Sequence, residues 1–79
     1  MNRNIKLIWD FKGEDGELTA EHHLIHLKEF DKREQTKAID FGVTKINPLH
    51  SIAYMTVSEN IVFTVRDALL PHRAEIAEE

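Results

Sequence analysis

The chain of 79 residues lacks cysteine, which excludes disulfide bonds as a source of stability. A domain of fewer than about 70–80 residues has a core that contributes only about 3–5 kcal/mol, and many such domains need a further source of stability. A bound metal ion or a second subunit is the expected supplement here. Because disulfides are rare in the cytoplasm, the absence of cysteine also favours a cytoplasmic protein.

Long apolar runs and an excess of positive charge are lacking as well. No stretch approaches the ~20 apolar residues that span a bilayer, and the first residues show no signal-peptide pattern. The chain has 10 Lys and Arg against 14 Asp and Glu, a net charge of −4 with neutral histidines. Nucleic acids bind basic surfaces, so we expect neither nucleic acid nor membrane as a partner. The length predicts a single domain over residues 1–79.

Signatures of common catalytic sites are missing too. Without cysteine, a nucleophile would have to be a hydroxyl group, and Ser51 and Ser58 lie in no recognisable nucleophile motif. Gly13 and Gly16 stand alone rather than in a phosphate-binding loop. The sequence is therefore compatible with an enzyme and with a binding protein.

The apolar pattern predicts three strands and a first helix. Alternating apolar residues indicate strands at residues 5–11, 39–44 and 51–57. An apolar stripe at helical spacing predicts a helix that begins near Thr19, whose hydroxyl can cap it, and ends near Gln35.

The stretch of residues 58–70 fits two structures. It is either a helix capped by Ser58 or a hairpin turn followed by a strand. We favour the helix, because the helical apolar pattern continues to Leu70, where Pro71 ends it. Residues 74–78 are expected to form a short edge strand.

This order of elements predicts an α+β fold of the ferredoxin-like type. The expected βαββα(β) arrangement is a two-layer sandwich, with an antiparallel sheet and two helices on one face. The other face carries Ile8 and one side of the third strand, and such an apolar surface needs to be covered. We therefore expect a homodimer in which two open sheet faces pack together.

Five histidines are present, and three of them lie within residues 22–26. On a helix, His22 and His26 share one face, at the spacing that lets two imidazoles bind one metal ion. The predicted topology brings His50 and His72 to the same end of the sheet. The candidate metal ligands are His22, His26, His50 and His72, with Asp10 or Glu29 in reserve. Zinc, nickel, copper or iron would be the cofactor.

A small-molecule site without a metal is the second hypothesis for this end. Its candidate residues are Asp10, His50, Tyr54, His72 and Arg73. Histidine exchanges protons near neutral pH, arginine pairs with carboxylates or phosphates, and tyrosine supplies an apolar wall.

The competing function is a non-catalytic interaction or structural protein that oligomerises through its open sheet face. In that case the histidines would only affect packing and the response to pH. His23 fits this interpretation best, because it falls within the apolar stripe of the first helix and is expected to be packed.

Overall fold

The computed structural model describes residues 3–77 of the chain. Four strands and two helices follow one another: β1 (Asn4–Lys12), α1 (Gly16–Glu34), β2 (Asp40–Asn47), β3 (His50–Ser58), α2 (Val62–Leu69) and β4 (Arg73–Ala77). A 3-10 turn, Glu59–Ile61, leads directly into α2. The predicted α+β class and the βαββαβ order of elements are confirmed.

The strands form one antiparallel sheet in the order β2-β3-β1-β4. β1 pairs with β3 on one side and with β4 on the other, and β3 also pairs with β2. In the register, Lys12 lies opposite His50 at one end of the sheet, and Asn4 lies opposite Ser58 at the other. The two central strands are therefore paired with each other along their whole length.

Both helices pack on the same face of the sheet, through one apolar cluster. The buried members of that cluster are Leu7, Trp9, Ala20, Leu27, Phe30, Ala53, Met55, Val57 and Val65. The register pairs Leu7 with Met55 and Trp9 with Ala53, so the strand members share a face. The indole Nε1 of Trp9 donates a 2.8 Å hydrogen bond to the carbonyl of Leu69. This bond ties the last residue of α2 to the centre of the sheet.

The opposite face, called the open face below, carries both apolar and charged residues. The register places on it Lys6, Ile8, Asp10 and Lys12 of β1, His50, Ile52, Tyr54 and Thr56 of β3, and Arg73 and Glu75 of β4. Within a single chain, Ile8 is only 1% exposed and Ile52 only 5%. Tyr54 and Arg73 lie on either side of Ile8 in the register. The premise that a partner must cover these apolar residues is therefore wrong, because side chains of the same chain cover them.

Helix α1 begins earlier than the sequence indicated. It starts at Gly16, with Asp15 at the N-cap position, and Thr19 lies inside its first turn. The hydroxyl of Thr19 donates to the carbonyl of Asp15, so the predicted role of Thr19 as the cap is wrong. Glycine permits this early start, because a Cβ at position 16 would lie 2.6 Å from the carbonyl oxygen of Phe11.

The ambiguous segment is helical, as favoured from the sequence. Val65 is fully buried, and Ile61, Val62 and Leu69 pack against the core. Phe63 projects outward and is 62% exposed. The predicted edge strand is also present as β4, while Glu78, the last residue of the prediction, lies outside the described residues. Within residues 3–77 neither helix has the length and apolar character needed to cross a membrane.

Candidate functional site

Asp10, near the end of β1, is the centre of a polar cluster on the open face. Its Oδ1 lies 2.8 Å from Nε2 of His50, at the start of β3. Nε and Nη2 of Arg73, at the start of β4, donate to its two carboxylate oxygens at 3.0 and 3.1 Å. Three neighbouring strands thus bring together three of the five predicted ligand-binding residues.

The charges of this cluster favour an ionised carboxylate. Hydrogen bonds from Arg73, assisted by the bond with His50 and by both charges, lower the pKa of Asp10 from 3.8 to about 2, although partial burial opposes the shift. The same carboxylate raises the pKa of Arg73. Asp10 therefore carries a full negative charge at neutral pH.

The ionised carboxylate determines the proton arrangement of His50. A carboxylate only accepts hydrogen bonds, so Nε2 of the imidazole must carry the proton in the bond to Asp10. In neutral His50 the other nitrogen, Nδ1, then has a free lone pair. Nδ1 has no hydrogen-bond partner among residues 3–77, while the side chain is 19% exposed. This nitrogen is therefore available to an outside donor.

His72 contacts Asp10 in a different way from His50. Its Nδ1 accepts a 2.8 Å hydrogen bond from the backbone N–H of Asp10. The backbone N–H of His72 donates to the carbonyl of Ile8. The imidazole thus continues the pairing between β1 and β4 beyond Arg73, the first residue of β4. His72 holds the strand that carries Arg73, and its Nδ1 is occupied by this backbone bond.

Tyr54 lies on the same open face, but its ring is directed toward β2 and not toward Asp10 and Arg73. It pairs with Ile8 on one side and with Gly42 on the other, and a Cβ at position 42 would collide with its ring. The ring therefore lies over the bare backbone of Gly42. Nζ of Lys6 stands 4.2 Å from the ring centroid, which gives a cation–π contact.

The predicted metal site has no support in the geometry. Within residues 3–77 no group of three or more His, Asp or Glu side chains is arranged to hold one metal ion. His50 bonds Asp10 on the open face, whereas His22 and His26 are exposed on α1, on the other side of the sheet. Nδ1 of His26 contacts Glu29 instead, at 3.4 Å. The histidines do reach one end of the domain, but the sheet separates His50 from His22 and His26.

His23 is packed, as its place in the apolar stripe predicted. Its ring centroid lies 4.9 Å from that of Trp9 and 5.4 Å from that of Phe11. Nε2 is buried without a hydrogen-bond partner within the described part of the chain. Burial, assisted by the charges of His26 and His72, lowers the pKa of His23.

Two features of the surface escaped the sequence reasoning. Glu75 is a further partner of Arg73, whose Nη1 lies 3.5 Å from Oε2; the two-residue spacing on a strand is the signal that could have revealed this pair. The second feature is a shallow depression of about 470 Å³ at the other end of the sheet. It is lined by Gln35, Thr36, Lys37, Ser58, Asn60 and Ile61.

Comparison with known proteins does not assign the chain to a family. No protein-family model, no curated protein and no solved structure matches the chain. The geometry of the open face is therefore the basis for the proposed function.

Proposed function

We propose that this chain is a small ligand-binding protein whose site is the Asp10–His50–Arg73 cluster. The observation that carries the proposal is that these three side chains, from three strands, are joined by direct hydrogen bonds on the open face. Polar groups that converge in this way are characteristic of ligand sites. We include Tyr54 as an outlying member of the site, on the same face of the sheet.

The free hydrogen-bonding groups of the cluster indicate the chemistry of the ligand. Arg73 uses Nε and Nη2 for Asp10, and its Nη1 has only a long contact with Glu75, so guanidinium N–H groups are left for an anion. When the imidazole of His50 is neutral, it offers an acceptor at Nδ1. Both side chains bond the same oxygen of Asp10 and are therefore close neighbours. We infer a small organic acid that also carries a hydroxyl group.

The fold belongs to the same proposal. We assign the domain to the ferredoxin-like type, which the βαββαβ order and the strand order β2-β3-β1-β4 support. In such a sandwich the helices leave one sheet face open to ligands. We also propose that the protein acts by binding and that Asp10 serves to orient His50.

A pair of simple acids tests this function. Glycolate differs from acetate by the one hydroxyl group that can donate to His50. We expect NMR titration to shift the signals of Asp10, His50 and Arg73 with both acids. Because one hydrogen bond contributes about 0.5–1.5 kcal/mol, glycolate should bind about two- to thirteenfold more tightly.

Two variants sharpen the titration. His50→Ala should abolish the preference for glycolate, whereas His22→Ala, which replaces an exposed histidine on the other side of the sheet, should preserve it. Equal affinities for both acids in the wild-type protein, or a preference that survives His50→Ala, would contradict the proposed ligand class.

An interaction protein is the second candidate, and exposed apolar side chains favour it. Phe63, Leu70 and Ile76 are each more than half exposed. These residues lie away from the open face, so a protein partner and a small ligand would use different surfaces.

A further inference from the structure

The free edge of β4 and the flank of α2 beside it form a surface that is left uncovered by residues 3–77. β4 is an outer strand of the sheet in residues 3–77. Its unpaired backbone groups are a template for another strand. Ile76, on the helix side of this strand, is 53% exposed.

Apolar side chains of α2 extend this surface. At 100° per residue, Phe63, Arg66 and Leu70 share one flank of the helix, about a quarter turn or more from the buried Val65. α2 connects β3 to β4, two strands that run parallel because both are antiparallel to β1. Such crossovers are almost always right-handed, which turns this flank toward β4. Phe63 is 62% and Leu70 72% exposed.

We propose that this surface binds a second copy of the chain, edge to edge through β4. The charges of β4 select this occupant. When two copies of β4 pair antiparallel about a two-fold axis at Ala74, Arg73 of each copy lies opposite Glu75 of the other. Opposite charges directly across a strand pair stabilise it, and like charges destabilise it. The small Ala74 side chain leaves room at the axis, on the helix side of the sheet.

The other edge of the sheet suits such pairing less well. The register of β2 shifts between Lys45 and Asn47, and irregularities of this kind protect edges from pairing. Its two charged residues, Asp40 and Lys45, are five positions apart and project from opposite faces. In a dimer that keeps the two open faces on the same side, a second copy of β2 would therefore have no charge pair across the strands.

An edge-to-edge dimer leaves the open face uncovered. The two sheets join side by side into one sheet of eight strands, with both Asp10–His50–Arg73 clusters on the same side. Glu75 of the second copy then lies beside Arg73. The inference does not depend on the proposed ligand, and it replaces the face-to-face dimer expected from the sequence.

Sedimentation velocity over about a hundredfold range of concentration tests the dimer, which should be weak because the surface is small. We expect dimer to accumulate with concentration. Ile76→Asp and Glu75→Lys should each weaken the dimer about tenfold or more. Ile39→Asp, at a residue that is 57% exposed next to β2, is the matched control and should leave it unchanged.

Amide hydrogen exchange provides the second readout. In the wild-type protein, amides of residues 73–77 should gain protection at high concentration, and those of β2 should not. A monomer at every concentration would overturn the proposal. So would a dimer that withstands both Ile76→Asp and Glu75→Lys, or one that protects the open face instead of β4. Circular dichroism establishes that each variant is folded.

Discussion

Asp10 is the residue at which the electrostatics of the open face can be tested by a single substitution. Asp10→Asn keeps the shape of the side chain but removes the charge that faces Arg73 and His50. Because the pKa of Asp10 falls from 3.8 to about 2 on folding, its ionisation favours the folded state. After a discount for solvent at this partly exposed site, we expect a loss of about 1–2 kcal/mol at neutral pH.

The pH dependence of this effect has a definite direction. The stabilisation by Asp10 is complete above its unfolded pKa and disappears as the pH falls from about 4 to about 2. Urea unfolding of the wild-type protein and Asp10→Asn should therefore show a difference at neutral pH that closes in this acid range. A difference that stays constant down to pH 2 would contradict the role assigned to the ion pair.

His72 has a structural role that is separable from its charge. Its Nδ1 accepts the backbone N–H of Asp10, and the loss of an acceptor for one backbone donor costs about 1–3 kcal/mol. We expect His72→Ala to lower the free energy of unfolding by an amount near the lower limit of that range, as measured by chemical denaturation. The same variant should speed amide exchange at Asp10. His72→Asn retains an acceptor at a similar position and should recover part of the loss; equal effects of the two variants would argue against the hydrogen bond.

His23 is expected to destabilise the folded protein in mild acid. Its pKa is lowered below the ordinary 6.5 by burial, so the unfolded chain takes up the proton more readily. Stability should therefore fall as the pH drops below about 6.5. His23→Phe keeps a ring against Trp9 and Phe11 and removes the unpartnered Nε2. Thermal unfolding at neutral and mildly acidic pH should show a smaller decline for this variant, and an unchanged decline would refute the assignment.

Among the elements, α1 depends on a close approach to the end of β1. A Cβ at Gly16 would lie 2.6 Å from the carbonyl oxygen of Phe11, too close without movement of the backbone. We expect Gly16→Ala to cost about 1–3 kcal/mol, despite the higher helix propensity of alanine. Equilibrium unfolding measures this cost. Leu18→Ala, in the same turn but 60% exposed, is the control, and a stabilising Gly16→Ala would contradict the packing.

The elements themselves were largely predictable from local patterns. Alternation identified the strands, and the apolar spacing through Leu70 correctly favoured a helix over a hairpin. The start of α1 was not predictable from the sequence. The backbone at Gly16 lies close to the carbonyl of Phe11 only once the loop between them has folded, and this contact leaves no room for a Cβ. Thr19 was a plausible cap by residue type, but its hydroxyl bonds Asp15 within the first turn.

For the molecule as a whole, the sequence predicted the convergence of Asp10, His50 and Arg73 better than the metal site. The antiparallel strand order brings the last residues of β1 next to the first residues of β3 and β4. Residues at these positions are therefore close to one another, whatever their side chains. Which side of the sheet each histidine occupies depends on the exact register, since a shift of one residue reverses the face. That register places His50 on the open face, away from His26.

The structure of the whole domain also changes which surface is expected to provide extra stability. Ile8 and Ile52 are covered within one chain, so the open face does not require a partner. Exposed apolar side chains lie on α1, in and next to β2, and along α2 and β4, and the last group comprises Phe63, Leu70 and Ile76. Oligomerisation and ligand binding are therefore expected to occupy different surfaces of the same small domain.

In the proposed site, Asp10 orients His50 so that Nδ1 stays free for a ligand. The 15N chemical shifts of the His50 ring, measured above the pH range in which histidine titrates, distinguish the two ring nitrogens. We expect a proton on Nε2 and an unprotonated Nδ1 in the wild-type protein, and we expect the Nδ1 signal to shift when glycolate is added. A ring protonated mainly on Nδ1, or an Nδ1 signal that does not respond to glycolate, would contradict the proposed site.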